Sequence, residues 1–310
     1  MAHDLMIGRF APSPTGSLHV GNLRTALIAW LAAESTGSDL RLRIDDLDPA
    51  TASVEHERAQ LRDLAALGIE FDGDVLRQST RSAAYRKAID ELRERGLLYT
   101  CYCSRREVRE AAAAPHEHLP EGAYPGTCRD LDAGARQRRE RERPGALRVR
   151  AELAEIEFHD GVHGPTRVMV DDFVVQRNDG VPAYNLATVV DDAHQGIEQV
   201  VRADDLLDGT GRQLWLIERL GLSRLAHAHV PLIVNDEGRR LAKRDGAVTL
   251  GELADLGWSP ERVRTMLAAS LGLCPPGLHV DIEDLAKGFS LDRIAPTPTV
   301  WVDPSDRSDS

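Results

Sequence analysis

Residues 9–22 read Arg-Phe-Ala-Pro-Ser-Pro-Thr-Gly-Ser-Leu-His-Val-Gly-Asn, and several of these side chains can do chemistry. Arg9 offers a guanidinium fork that suits a carboxylate. His19 stands where a helix is expected to begin, among unpaired backbone N–H groups at the positive end of a helix dipole, which suits a phosphate. There its imidazole could donate to phosphate oxygens that gain charge in a transition state. Gly21 would let an adenine or ribose pack directly against backbone. Taken alone, His19 is better explained as a loop histidine that caps the helix.

A second reactive group lies further on. Cys101 and Cys103 are one residue apart and Cys128 follows in the same segment, while Cys274 stands alone. Three thiolates on two short arms suit a structural Zn2+ site, whose fourth ligand spacing would assign to His116 or His118. The competing account is three reduced buried cysteines without metal. From Arg129 to Arg150 there are eight arginines against four acids. They form either a local cationic surface for phosphates or a solvated helix face with pairs such as Arg138 with Glu142 and Glu140 with Arg143, ending at Pro144.

These side chains need elements to hold them. Residues 5–10 read as a short buried strand, and the prolines and glycine of 11–16 break it into a loop. Leu23, Ala26, Leu27, Trp30 and Leu31 then follow the spacing of a helix. Leu40 to Ile44 reads as a second strand that ends in the acidic Asp45-Asp46. Helices are expected over 53–67 and 80–95, each stopping at a glycine, Gly68 and Gly96. From Tyr99 to about Arg150 the character changes, as an insertion would. Residues 168–201 return to a β-rich pattern with a turn at Asn178-Asp179-Gly180 and a helix start after Pro182. Asp204 to Leu220 reads as one amphipathic helix, and the chain after Gly246 as a small helical domain.

Bulk properties set the outer bounds. The 310 residues carry 38 Lys+Arg against 50 Asp+Glu, a formal charge of −12, with 42% hydrophobic residues. That length suits one large or two smaller domains. The charge argues against a protein that coats nucleic acid indiscriminately. With no apolar run near the ~20 residues of a membrane span and no leader pattern, a cytoplasmic monomer is expected.

Four ordered motifs carry a resemblance. Arg9 to Gly16 followed by His19-Val20-Gly21-Asn22 resembles the first signature of the glutamyl-tRNA synthetases, class I enzymes of the Rossmann type. Arg240-Leu241-Ala242-Lys243-Arg244-Asp245-Gly246-Ala247 resembles their second signature, the lysine loop. Between them, Tyr184 to Asp192 and Val201 to Leu207 resemble the family's substrate-binding segments. The resemblance implies an α/β fold: a Rossmann-type parallel sheet domain in two halves, 1–98 and 168–245, a zinc-bearing insertion at 99–167, a small helical domain at 246–300 and a tail at 301–310.

It also implies roles. Arg9 and Arg202 would hold the two carboxylates of L-glutamate, and Asp45, where the family has a glutamate, its ammonium. Ala11 and Ser13 would line the amino acid and Tyr184 would wall it. His19, Gly21, Asn22 and Lys243 would meet ATP, with Mg2+ arriving on the nucleotide. Catalysis would fall to His19, Lys243 and Arg244, with Arg240 assisting. Asn22 stands where the general signature has a histidine, and Ala242 where the lysine loop has a serine.

Cys101-x-Cys103 followed by Tyr124-x-x-x-Cys128 resembles the zinc site of the glutamyl-queuosine tRNA(Asp) synthetase subfamily, which implies Tyr124 as the fourth ligand. Only 64 residues follow Gly246, too few for the anticodon-reading domains of a bacterial glutamyl-tRNA synthetase. The implied activity is tRNA-independent glutamate activation and transfer to the queuosine base of tRNA(Asp). The alternatives are a discriminating glutamyl-tRNA synthetase without an anticodon domain and a catalytically silent paralogue.

Overall fold

The computed structural model describes residues 6–113, 123–241 and 248–302. The strands are β1 (Gly8–Phe10), β2 (Leu40–Ile44), β3 (Leu76–Arg77), β4 (Leu98–Cys101), β5 (Ala146–Val149), β6 (Ala154–Asp160), β7 (Gly164–Val170), β8 (Val174–Gln176), β9 (Gln199–Ala203), β10 (Ala226–Val230), β11 (Ile233–Val234) and β12 (Thr299–Val300). The helices are α1 (Val20–Glu34), α2 (Val54–Ala66), α3 (Ser82–Glu94), α4 (Arg105–Ala113), α5 (Ala133–Glu142), α6 (Tyr184–Gln195), α7 (Thr210–Arg219), α8 (Leu250–Asp255), α9 (Pro260–Ala269) and α10 (Ile282–Ala286).

Seven strands form the main sheet in the order β3-β2-β1-β9-β10-β6-β7. All neighbours are parallel except the β6–β7 hairpin at one edge. Central parallel strands are covered on both faces, so β1 and β9 are buried along nearly their whole length rather than on alternate residues, Arg9 and Arg202 included. Helix α1 is buried almost all round, because it packs on β1 and β9 with one face and on α9 and α10 with the other. Its apolar residues join those of α8 to α10 in one core, with Leu253, Val263, Leu267 and Leu285 facing Leu23, Leu27 and Leu31.

A second core gathers α3, α6 and α7 around Trp215 and Phe173. Strands β4, β5 and β8 make a separate antiparallel sheet. The interval 99–167 therefore feeds two sheets: β5 lies in the small one, whereas β6 and β7 extend the main one. Residues 204–220 do not form one helix. Asp204–Leu206 make a single 3-10 turn, and α7 begins only after Gly209.

The chain from 248 onward is helical as expected, with Thr249 and Glu252 closing a capping box on α8 and Pro260 at the first position of α9. Its end is tied down rather than frayed at Trp301. β12 pairs with β11, the Trp301 N–H donates to the Val234 carbonyl at 2.7 Å, and the indole packs on the main core. Residues 303–310 of the expected tail lie outside the described residues. Among the described residues, no helix is long and apolar enough to cross a membrane.

Candidate active site and cysteine cluster

The parallel strands β1, β2 and β9 end at one edge of the sheet, the edge where open α/β sheets bind ligands. A cleft of about 560 Å³ opens there, lined by Arg9, Ala11, Ser13, His19, Asn22, Asp45, Tyr184 and Arg202 among others. Segments nearly 200 residues apart in sequence thus meet in one place. Gly21 is not among the lining residues; it sits in the first turn of α1 between His19 and Asn22, which are.

His19 is the N-cap of α1. Its Nδ1 accepts the Gly21 N–H at 3.1 Å, while the Asn22 Oδ1 accepts the His19 N–H at 3.3 Å. The two accounts of this histidine are compatible. With Nδ1 accepting, the proton of the neutral ring sits on Nε2, where it remains a donor. Burial, helped by the positive charge of Arg240, lowers the imidazole to about 4, so the ring is neutral near pH 7. A Cβ at position 21 would stand 2.9 Å from the His19 Cε1 and 3.0 Å from its Nδ1, so glycine leaves room for the ring.

The loop before His19 is pinned from α2. The Gln60 amide nitrogen donates to the carbonyls of Ser13 (3.0 Å) and Gly16 (2.7 Å). The Asp45 N–H donates to the Pro12 carbonyl at 3.0 Å.

Behind the cleft-lining Arg9 and Asp45 lie buried charges that sequence reasoning did not assign. Arg43, fully buried in β2, donates from Nε to Asp45 Oδ1 at 2.7 Å and from Nη1 to Asp192 Oδ1. Arg9 donates to the Val201 carbonyl at 3.1 Å, and its Nε lies 3.6 Å from the same Asp192 oxygen. Burial pushes the Asp45 carboxyl above its usual range, against the pull of Arg43. At Asp192 burial acts the same way, but Arg43 and Arg9 together hold the carboxyl below its usual range. A visible signal existed: Leu-Arg-Leu-Arg-Ile places two arginines in a strand whose neighbours are all aliphatic.

Arg202 sits on β9 with each of its three guanidinium nitrogens held by a protein partner and one Nη1 N–H not used in those bonds. Nε faces His229 Nε2 at 2.9 Å, Nη1 donates to Gln213 Oε1 at 2.8 Å, and Nη2 donates to Thr210 Oγ1 at 2.7 Å and the Leu206 carbonyl at 3.3 Å. The Tyr184 side chain interacts with the same guanidinium, and its own ring is exposed at the cleft. Three guanidiniums, Arg9, Arg43 and Arg202, against the carboxylates of Asp45 and Asp192 leave one positive charge, which balances an amino acid with two carboxylates and one ammonium.

Lys243 and Arg244, with Ala242, lie outside the described residues. Their flanks are at the site. Arg240 lines the cleft and donates to Asp205 at 2.7 Å, and the Val248 carbonyl accepts the Val20 N–H at 2.7 Å at the start of α1.

The cysteines form a separate cluster beneath β4. The Sγ atoms of Cys101, Cys103 and Cys128 lie within 4.8 Å of one another. The Tyr124 hydroxyl lies 3.3 Å from Cys101 Sγ and 3.6 Å from Cys103 Sγ, and it accepts the Cys128 N–H at 3.1 Å. Three sulfurs and one phenol oxygen converge on one point, a donor set that fits a tetrahedral metal ion. Hydrogen bonds from Cys103 and Cys128 draw the Cys101 thiol down toward thiolate. His116 and His118 lie outside the described residues.

The arginine-rich stretch divides in two. Arg129, Arg148 and Arg150 are braces: Arg129 Nε donates to Asp172 at 2.7 Å, Arg148 lies 3.9 Å over the Tyr124 ring, and Arg150 donates to Asp130 at 3.1 Å. On α5, Arg136, Arg138 and Arg141 are exposed, while Arg139 and, just past the helix end, Arg143 pair with Glu107 of α4.

A ligand cleft at the ends of parallel strands, a histidine-capped helix beside it and Arg240 at its rim are the arrangement of a nucleotide-binding α/β catalytic domain. A family model described as tRNA synthetases class I (E and Q), catalytic domain, matches residues 6–287. The chain is 56% identical over 269 residues, 86% of its own length and 85% of the relative's, to the Glutamyl-Q tRNA(Asp) synthetase of Nocardia farcinica (strain IFM 10152). It is 44% identical to the protein of the same name from Symbiobacterium thermophilum, over 95% of each chain. The crystal structure of a glutamate tRNA ligase from Elizabethkingia meningosepticum, in complex with its amino acid, superposes with a TM-score of 0.81 at 25% identity, over 96% of this chain and 67% of that one. The chain belongs to the class I tRNA synthetases of the glutamate and glutamine type, among relatives that carry the name Glutamyl-Q tRNA(Asp) synthetase.

Proposed function

We propose that this ligase activates L-glutamate with ATP, without any tRNA, and transfers it to the queuosine base in the anticodon of tRNA(Asp). The observation that carries the reading is the cleft that brings Arg9, Asp45, Tyr184 and Arg202 together with His19 at the start of α1. The names of the matched relatives supply the acceptor.

In the proposed reaction Arg9 and Arg202 hold the carboxylates of glutamate, Asp45 faces its ammonium, Ala11 and Ser13 line its chain, and Tyr184 closes over it. A glutamate α-carboxylate oxygen attacks the α-phosphorus of ATP, the bond to the β-phosphate oxygen breaks, and pyrophosphate leaves. His19 donates from Nε2 to the α-phosphate oxygens, which gain charge as the bond forms. Lys243 and Arg244 are assigned to the departing phosphates, with Gly21 and Asn22 beside the nucleotide and Mg2+ carried by it. A hydroxyl of the queuosine cyclopentenediol then attacks the glutamyl carbonyl, AMP leaves, and the hydroxyl proton passes to solvent. Positioning supplies most of the rate.

Cys101, Cys103, Cys128 and Tyr124 are proposed to hold a structural Zn2+. A metal there would lock the two arms of this segment together and takes no part in the transfer.

Pyrophosphate exchange with glutamate and ATP, in the absence of tRNA, is the test. Exchange is expected, and it is expected to vanish in Lys243→Ala. No exchange from the wild-type protein points to a silent paralogue. Labelled glutamate should then appear, alkali-labile, on queuosine-containing tRNA(Asp) and not on unmodified tRNA(Asp); charging of tRNA(Glu) would instead favour the discriminating synthetase.

A further inference from the structure

The grip on Arg202 extends two residues deeper. Arg202 and His229 are direct partners in the parallel β9–β10 register, and the end of β6 brings Asp160 alongside β10. His229 Nδ1 lies 2.6 Å from Asp160 Oδ2, and both side chains are fully buried. An arginine Nε can only donate, so His229 Nε2 must accept, and the imidazole proton therefore sits on Nδ1, where it is donated to Asp160. Thr210 Oγ1, 3.0 Å from the same Nε2, can also donate there.

Asp160 has no freedom to turn. Its Oδ1 accepts the N–H groups of Val162 (3.0 Å), His163 (3.0 Å) and His229 (3.2 Å), which leaves Oδ2 for the imidazole.

We propose that Asp160 and His229 are positioning residues of the glutamate site: Asp160 sets the tautomer of His229, and that tautomer orients the Arg202 guanidinium toward a substrate carboxylate. The proposal rests on the reading of Arg202 as a glutamate anchor. It assigns a use to two buried titratable groups that touch neither substrate.

Asp160→Asn separates this role from mere packing. The amide has the shape of the carboxylate, and the three backbone donors at Oδ1 force its NH2 to face His229 Nδ1. Nδ1 must then accept, the ring proton moves to Nε2, and Arg202 Nε loses its acceptor. In the full-length enzyme the KM for glutamate should rise about tenfold or more, the loss expected for a hydrogen bond to a charged group, while the KM for ATP holds. Nitrogen-detected NMR of the histidine rings should show the His229 proton on Nδ1 in the wild type and on Nε2 in Asp160→Asn. His229→Gln, which places a carbonyl oxygen near the Nε2 position, should keep the glutamate KM near wild type. His229→Leu should raise it as far as Asp160→Asn does.

An unchanged glutamate KM in both Asp160→Asn and His229→Leu, or an equal rise in both substrates' KM, overturns the proposal. The Gln and Leu pair still decides it if Asp160→Asn does not fold. Arg202→Ala is the control for the underlying reading: if it leaves the glutamate KM unchanged, Arg202 is not the anchor, and that failure is visible separately from failure of the relay.

Discussion

At the residue scale, His19 shows how one side chain serves structure and chemistry together. Its Nδ1 caps α1, and the same bond leaves Nε2–H facing the cleft. Gly21→Ala would force the ring aside, because the added Cβ meets it at 2.9 Å. Alanine is favoured over glycine in a helix by up to about 1 kcal/mol, and loss of the His19 cap costs about as much, so stability should change little. The kcat of pyrophosphate exchange should instead fall about ten- to a hundredfold, as for loss of a transition-state donor. His19 and His227 also give the fold an acid limit. Burial lowers them to about 4 and about 3, whereas an unfolded histidine titrates at 6.5. Between these values the unfolded chain binds more protons, so the stability these rings contribute is complete above 6.5 and is lost as pH falls through the folded values. Urea unfolding should therefore show a lower midpoint at about pH 5 than at about pH 7.5, and His227→Gln should flatten the slope if its packing is kept.

At the scale of elements, the loop of residues 11–18 is rigid because α2 reaches across to hold it. Gln60→Ala would remove the amide that bridges the Ser13 and Gly16 carbonyls, of which Ser13 keeps only the Thr15 N–H, at a cost of about 1–3 kcal/mol. Its checkable consequences are a Tm lower by several degrees and a raised KM for both glutamate and ATP. The segment that carries the cysteines is held from both sides. Asp171 accepts the Tyr124 N–H at 3.0 Å and pairs with Arg212 of α7, while Asp172 gathers Tyr99, Arg129 and two backbone N–H groups next to the cluster. If a metal completes the cluster, chelation should lower Tm and Cys101→Ser should abolish metal binding. Exchange activity should be reduced less than by any change to Arg202, since the cluster lies outside the cleft.

At the scale of the whole molecule, α1 is the hub, and Arg24 fastens the C-terminal region to it. This guanidinium, 1% exposed, donates to the Pro231 carbonyl, to Thr299 Oγ1 at 2.9 Å and to Ser270 Oγ at 3.3 Å, and burial lowers it to about 10. Arg24→Ala removes those donors and opens a cavity, which should cost about 3 kcal/mol or more in urea unfolding. An arginine inside an apolar helix is visible in the sequence, but its partners, more than 200 residues away, are not. The same divide runs through the whole protein. Sequence determined the local and the chemical: the strand, loop and helix of residues 8–34, the glycine stops, and the residues around the cleft, because turn chemistry, periodicity and motif order are short-range properties. It also brought Cys101, Cys103, Tyr124 and Cys128 together on spacing and resemblance. Only the tertiary structure decided that Arg43 and Asp192 lie behind Arg9 and Asp45, that Arg202 leans on His229 and Asp160, that the hairpin of β6 and β7 joins the main sheet, and that Trp301 is anchored. Each of these depends on which strands lie side by side, and parallel pairing is set by packing across long loops that no local pattern records.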